Sequence, residues 1–219
     1  MNADKYIISI DKEAVSAMPT LMYPGEISVV DTAELAHAAL RELAKAPMVG
    51  FDTETRPSFR KGCVHKVALM QISTGERCYL FRLNKIGICA ELKNFLENPD
   101  ILKIGLSIHD DFNVLHRSGD IEPQGFVDLQ DMVKSFDITD ISLQKIYAIL
   151  FGERISKSQR LTNWEASELS PAQQVYASID AWACLVIYRY LKSGKFDPYQ
   201  SPYRHLYIPP QPQLRPEKA

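Results

Sequence analysis

The sequence predicts an α/β fold in which α-helices flank a mixed β-sheet. Three observations carry this: strand-like runs follow one another closely in the first third, later short strands alternate with amphipathic helical stretches, and size and composition suit one buried core. At 219 residues and 46% hydrophobic, the chain has material for one compact domain and would be cramped as two.

Residues 1–24 carry Pro19 and Pro24 and a short apolar run, Tyr6 to Ile10, which reads as an arm or an added edge strand. EISVV from Glu26 is a short strand. Asp31 or Thr32 then caps a helix to about Lys45, with Leu35, Ala36, Ala39, Leu40 and Leu43 along one face. Strand patterns at Met48 to Thr53, His65 to Ser73 and Arg77 to Phe81 are separated by Pro57, Gly62 and the TGE turn, and gaps this short favour an antiparallel meander. Cys89 to Glu97 and His109 to Arg117 are helical, with a strand at Ile101 to Leu106 between them and another at Phe126 to Asp128. Ser142 opens a helix to Leu150, a polar segment runs from Gly152 to Asn163, and a long helix spans Ser170 to Lys192 with Pro171 in its first turn. The proline-rich end, FDPYQSPYRHLYIPPQPQLRPEKA, reads as an extended tail on the domain surface. The expected organisation is an arm at 1–25, a domain at 26–194 and a tail at 195–219.

With 25 basic and 27 acidic residues, the net charge of −2 excludes a molecule that grips nucleic acid by bulk charge. It leaves room for a nuclease, because cations held by clustered carboxylates supply positive charge where a phosphate sits. Cys63, Cys78, Cys89 and Cys184 show neither CxxC spacing nor paired histidines, so they read as reduced structural thiols rather than zinc ligands or disulfides. The opening MNADKYIISIDKEA has no signal-peptide pattern, and no apolar run reaches the ~18 residues of a membrane span. A soluble, cytoplasmic protein without a membrane partner is expected.

Three motifs carry chemistry. In FDTET, Asp52 and Glu54 share one face of a strand, and two such carboxylates repel unless a cation lies between them; alone, DxE equally describes a solvated strand end. In GLSIHDDFNVL, Asp110 and Asp111 fall where a strand becomes a helix, a position that also suits simple capping. In YASID, Tyr176 and Asp180 lie i, i+4 on one helical face, a spacing common on surfaces.

Taken in order, DxE on a strand, Asp after a strand and YxxxD on a late helix resemble the DnaQ-like exonuclease superfamily. Within its DEDD group the resemblance is to the tyrosine subclass, nearest the ribonuclease D and Werner-type exonuclease domains. It runs from about Met48 to Leu191 and includes VALMQIS, PQGFVDLQ and KSQRLTNWEASELSPAQQVYASIDAWACLVIY. The histidine subclass would need His where this chain has Val175. The resemblance implies a ribonuclease H-like mixed sheet and a 3′-5′ exonuclease that releases nucleoside 5′-monophosphates from DNA or RNA. Carried over, Asp52, Glu54 and Asp180 become metal ligands, Asp111 the second-motif ligand with Asp110 the alternative, and Tyr176 the residue that positions water. Thr53, Lys157 and Arg160 are candidate substrate contacts; a solvated basic loop would account for the last two equally well. Hard oxygen ligands without a Cys or His cluster favour two Mg²⁺ or Mn²⁺ ions. Trp164 reads as a core anchor, and His109 as a helix-start residue without a catalytic role. Two rival readings are a catalytically silent nucleic-acid-binding or scaffold protein of the same fold and a phosphohydrolase of small nucleotides. The length leaves no room for the helical nucleic-acid-binding domains that follow the exonuclease in ribonuclease D.

Overall fold

A computed structural model describes residues 5–58, 65–108, 112 and 121–209. Six strands form the main sheet: β2 (Glu26–Val30), β3 (Met48–Thr55), β4 (Val67–Ser73), β5 (Arg77–Phe81), β6 (Leu102–Gly105) and β7 (Phe126–Asp128), in the order β2-β5-β4-β3-β6-β7. The meander β3-β4-β5 is antiparallel as expected, while β2, β6 and β7 join in parallel. Parallel neighbours require crossovers, so strands paired in this way are not joined by tight turns in the sequence.

Strand alternation sends side chains of β3 to both faces. Val49 and Phe51 join Leu40 and Leu43 of α2 (Ala33–Leu43), and Leu92 and Phe95 of α4 (Ala90–Glu97), in one cluster. On the other face Leu69, Cys78 and Leu80 pack against Ala177 and Ala181 of α7 (Pro171–Lys192). Short helices α3 (Leu83–Ile86), α5 (Leu129–Lys134) and α6 (Leu143–Phe151) complete the flanks. Among the described residues, no helix is long and apolar enough to cross a membrane.

α7 begins where the sequence signals it. The Ser170 hydroxyl accepts from Gln173 N–H at 3.2 Å, the Gln173 side chain accepts from Ser170 N–H at 3.0 Å, and Pro171 occupies the first turn. This reciprocal cap satisfies N–H groups that helix geometry leaves without partners.

The two terminal segments, read as an arm or added edge strand and as an extended surface tail, meet in the structure. β1 (Tyr6–Ile8) pairs antiparallel with β8 (Arg204–Leu206), forming a separate two-stranded sheet. Between β1 and β2 lies a helix the sequence reading does not contain, α1 (Lys12–Ala17), capped by the Asp11 carboxylate accepting from Ala14 N–H at 2.7 Å. Ile8, Ile10, Val15 and Leu21 are buried in the cluster that holds Ile104, Leu129, Ile146 and Leu185. Ile8 is also bonded through its N–H to the Asp137 carbonyl at 2.7 Å, and its own carbonyl accepts from Thr139 N–H at 3.0 Å. The helix expected over His109 to Arg117 lies outside the described residues, apart from Phe112 in a helical position.

Candidate active site

The site forms where α7 crosses β3, and a glycine permits the crossing. A Cβ on Gly50 would lie 1.9 Å from the Ala181 carbonyl oxygen, so any larger residue would push the helix off the strand. Asp180 precedes Ala181, and Asp52 and Glu54 follow Gly50 on the same face of β3. Carboxylate oxygens of Asp52, Glu54 and Asp180 accordingly all lie within 4.8 Å of one another. Nothing in the sequence names Gly50 as functional, yet a glycine inside a strand is itself a sign of close backbone approach.

Asp52 and Glu54 are half-buried and Asp180 is 8% exposed. Burial pushes the Asp180 carboxyl well above the ordinary carboxylate range, opposed by a hydrogen bond from Tyr176 and by the charge of Lys157. Tyr176, equally buried at 8%, donates its phenol proton to Asp180. Its pKa stands far above the usual phenol value, first through burial and then through the charges of Asp180, Glu54 and Asp52. The phenol therefore keeps its proton at neutral pH.

Trp164 supports Tyr176 from behind: it is fully buried and its ring lies 6.0 Å from that of Tyr176. The segment carrying Trp164 is tied to the sheet by Arg82, a buried guanidinium that donates to the Ala166 carbonyl. Thr53 falls between the two acidic residues on β3, so alternation turns it from their face. Lys157 and Arg160 are both exposed, and the charge of Lys157 acts on Asp180. His109, Asp110 and Asp111 lie outside the described residues, as does Cys63. Cys78, Cys89 and Cys184 form no disulfide among the described residues, and burial pushes the Cys78 thiol up to about 12.

Asp128 enters the site's architecture without having been singled out. Its carboxylate accepts from Ser107 N–H at 3.1 Å, Ile108 N–H at 3.0 Å and Gln130 N–H at 2.8 Å. It thereby holds the turn after β6 in which Ser107 adopts φ 62°, just ahead of the acidic pair in sequence. Asp in PQGFVDLQ reads locally only as a helix cap, because its long-range partners are backbone groups that no spacing rule predicts.

Three hard anionic donors at this separation repel one another, and a buried carboxylate without a counter-charge is costly. The donor set fits hard divalent cations, which oxygen ligands favour.

Comparison with known proteins places this geometry in context. The chain is 33% identical over 184 residues to the bifunctional 3′-5′ exonuclease/ATP-dependent helicase WRN of Mus musculus, covering 80% of this chain and 13% of that protein. It is 32% identical over 158 residues to a 3′-5′ exonuclease of Arabidopsis thaliana, covering 69% of this chain and 55% of that one. The chain thus spans little of the mouse protein and about half of the plant protein. Among solved structures, the Aedes aegypti Nibbler EXO domain superposes with a TM-score of 0.70 at 23% identity, over 82% of this chain and 95% of that chain. This is a likeness of fold. A family model described as 3′-5′ exonuclease matches residues 27–194. Because that match takes in the whole six-stranded sheet but for the first residue of β2, together with all of α7, the chain belongs to the DnaQ-like 3′-5′ exonuclease family.

Proposed function

We propose that this chain hydrolyses phosphodiester bonds from the 3′ end of DNA or RNA, releasing nucleoside 5′-monophosphates. The observation that supports it most is the approach of Asp52, Glu54 and Asp180 to within 4.8 Å on the face where Tyr176 bonds to Asp180. These three, with Asp111 as fourth ligand and Asp110 as the alternative, would hold two Mg²⁺ or Mn²⁺ ions, which when bound supply an activated water and relieve charge on the leaving 3′ oxygen.

The protein's own groups do the rest. Tyr176, which stays protonated, orients the attacking water by hydrogen bonding and does not remove its proton. Lys157 and Arg160 steady the substrate phosphates as point charges, so sequence goes unread there. Thr53 would be the further substrate contact on β3 through its backbone, since its side chain is turned from the acidic face.

Timed digestion of 5′-labelled single-stranded and duplex DNA and RNA with Mg²⁺ or Mn²⁺ tests the reading. A ladder shortening from the 3′ end is expected, abolished in Asp52→Asn and Asp180→Asn with the fold intact, severely reduced in Asp111→Asn and mildly in Asp110→Asn. Shortening from the 5′ end, or near-normal turnover of Asp52→Asn at saturating Mn²⁺, would overturn it.

A further inference from the structure

A basic pocket shares Lys157 with the surroundings of the carboxylate cluster. This pocket of about 450 Å³ is lined by Lys12 and Ser16 of α1, by Ser142, Gln144 and Lys145 at the start of α6, and by Lys157 from the loop that follows. Three of its lining residues are lysines and none is a carboxylate. Lys145 is neutralised by Asp140 at 2.8 Å, which also accepts from Ile10 N–H at 2.8 Å. Lys12 and Lys157 are exposed and enter no ion pair among the described residues. The Ser142 hydroxyl makes no capping bond to α6, so the positive end of that helix adds to the lysine field.

Lys157 links the pocket to the candidate active site: it lines the one, and its charge acts on Asp180 in the other. A strand with its 3′ end among Asp52, Glu54 and Asp180 has further phosphates to place upstream, and the chain's net charge of −2 offers no general attraction for them. Local lysines must supply it. Lys12 stands ahead of residue 27, where the family match begins, so its contribution comes from outside the matched region.

We propose that this pocket is a phosphate-binding subsite for the strand upstream of the scissile bond, with Lys12 and Lys157 as its cationic contacts. The inference rests on the exonuclease reading. It gives α1 a role in substrate grip: strands long enough to reach the pocket bind more tightly, and without base preference, because phosphates carry no sequence.

The experiment compares KM and kcat for 5′-labelled single strands of about two and about ten nucleotides, in Mn²⁺, between about 50 and 200 mM salt. Wild type, Lys12→Ala, Lys12→Glu and Lys12→Arg are measured beside Lys45→Ala, which alters an exposed lysine beyond the end of α2, on the far face of the sheet. The expected result is a rise of about fivefold in KM for the longer strand in Lys12→Ala, a larger rise in Lys12→Glu and little change in kcat. The salt slope should fall by about 0.7, as for one lost phosphate contact to a single strand, while Lys12→Arg keeps the wild-type KM. Lys45→Ala should match wild type throughout. If wild type digests both strands and the Lys12 variants keep its ratio of long-strand to short-strand KM, the subsite is overturned and the exonuclease reading stands. A loss confined to kcat also overturns the subsite. If wild type releases no nucleotide from either strand, the exonuclease reading falls and the subsite falls with it.

Discussion

Tyr176 is a buried phenol whose proton is held by Asp180 and by the surrounding negative charge, which separates its work from that of the carboxylates. Removing only the hydroxyl, as in Tyr176→Phe, should slow the single-turnover rate by roughly 10²- to 10⁴-fold, the range for a positioned proton-handling group. Mn²⁺ affinity should stay close to wild type, because Asp52, Glu54 and Asp180 remain. A Mn²⁺ titration of the single-turnover rate measures both quantities, and a variant restored to full rate by more metal would contradict the division. Spacings of two on a strand and of four on a helix made each pair legible as sharing a face, while the order of the motifs, and the family resemblance it carries, marked the four as a site. What no periodicity could supply was their meeting in space, which depends on residues with no reactive group. Gly50 acts through its missing Cβ, and Asp128 through backbone N–H groups twenty or more positions away.

Between elements, the contact of α7 with β3 decides the geometry. Gly50→Ala would insert a methyl where the Ala181 carbonyl lies at 1.9 Å, so the helix must move. Over-packing of this kind costs about 1 to 3 kcal/mol and sometimes more. Equilibrium unfolding in urea should register that loss, and activity should fall further than stability alone explains because Asp180 moves with the helix. Lys103 presents a second coupling between elements. It is fully buried on β6, donates to the Phe95 and Asn98 carbonyls at the end of α4 at 3.4 and 2.6 Å, and lies over the Phe95 and Phe126 rings. Burial pulls its pKa from 10.5 down to about 8. Between those values the unfolded chain binds more protons than the folded one, so the Lys103 contribution to stability rises with pH from about 8 to 10.5, by roughly 2 to 3 kcal/mol. Below pH 8 both states are protonated and the burial penalty is fully present. Stability of wild type minus that of Lys103→Met, measured from pH 7 to 10.5, should climb across that window. A flat difference would show that Lys103 titrates normally. The longer elements were readable because each carries several turns or a full alternation. α1, α3, α5 and β8 were not, being three to six residues long, too short for a pattern to develop before packing decides.

For the molecule as a whole, the N-terminal segment belongs to the core. Ile8, Ile10, Val15 and Leu21 are each at most 7% exposed, and burying an aliphatic side chain contributes about 1.5 to 3 kcal/mol. Together they approach the 5 to 15 kcal/mol that keeps a typical domain folded. A chain beginning at Glu26 should therefore melt far below the full chain, or fail to fold, in a thermal scan followed by circular dichroism; unchanged melting would mean the arm is dispensable. The sequence suggested an arm or edge strand there because Pro19 and Pro24 break local pattern, and the buried apolar residues of this segment answer to partners more than a hundred positions away, Ile8 to Asp137 and Leu21 to Arg154.

The antiparallel β1–β8 ladder has a mechanical meaning. Tyr6 faces Leu206, Ile7 faces His205 and Ile8 faces Arg204, with Tyr207 N–H bonded to the Lys5 carbonyl at 2.8 Å. The polypeptide thus enters and leaves this clasp at the same end, so tension on the two flanks loads one pair at a time and peels the ladder open instead of shearing it. Resistance is low at Tyr6 and rises at Ile8, where the strand is anchored to Asp137 and Thr139. A pull on both flanks would unzip the clasp first and meet the six-stranded sheet only after Ile8 had left the core.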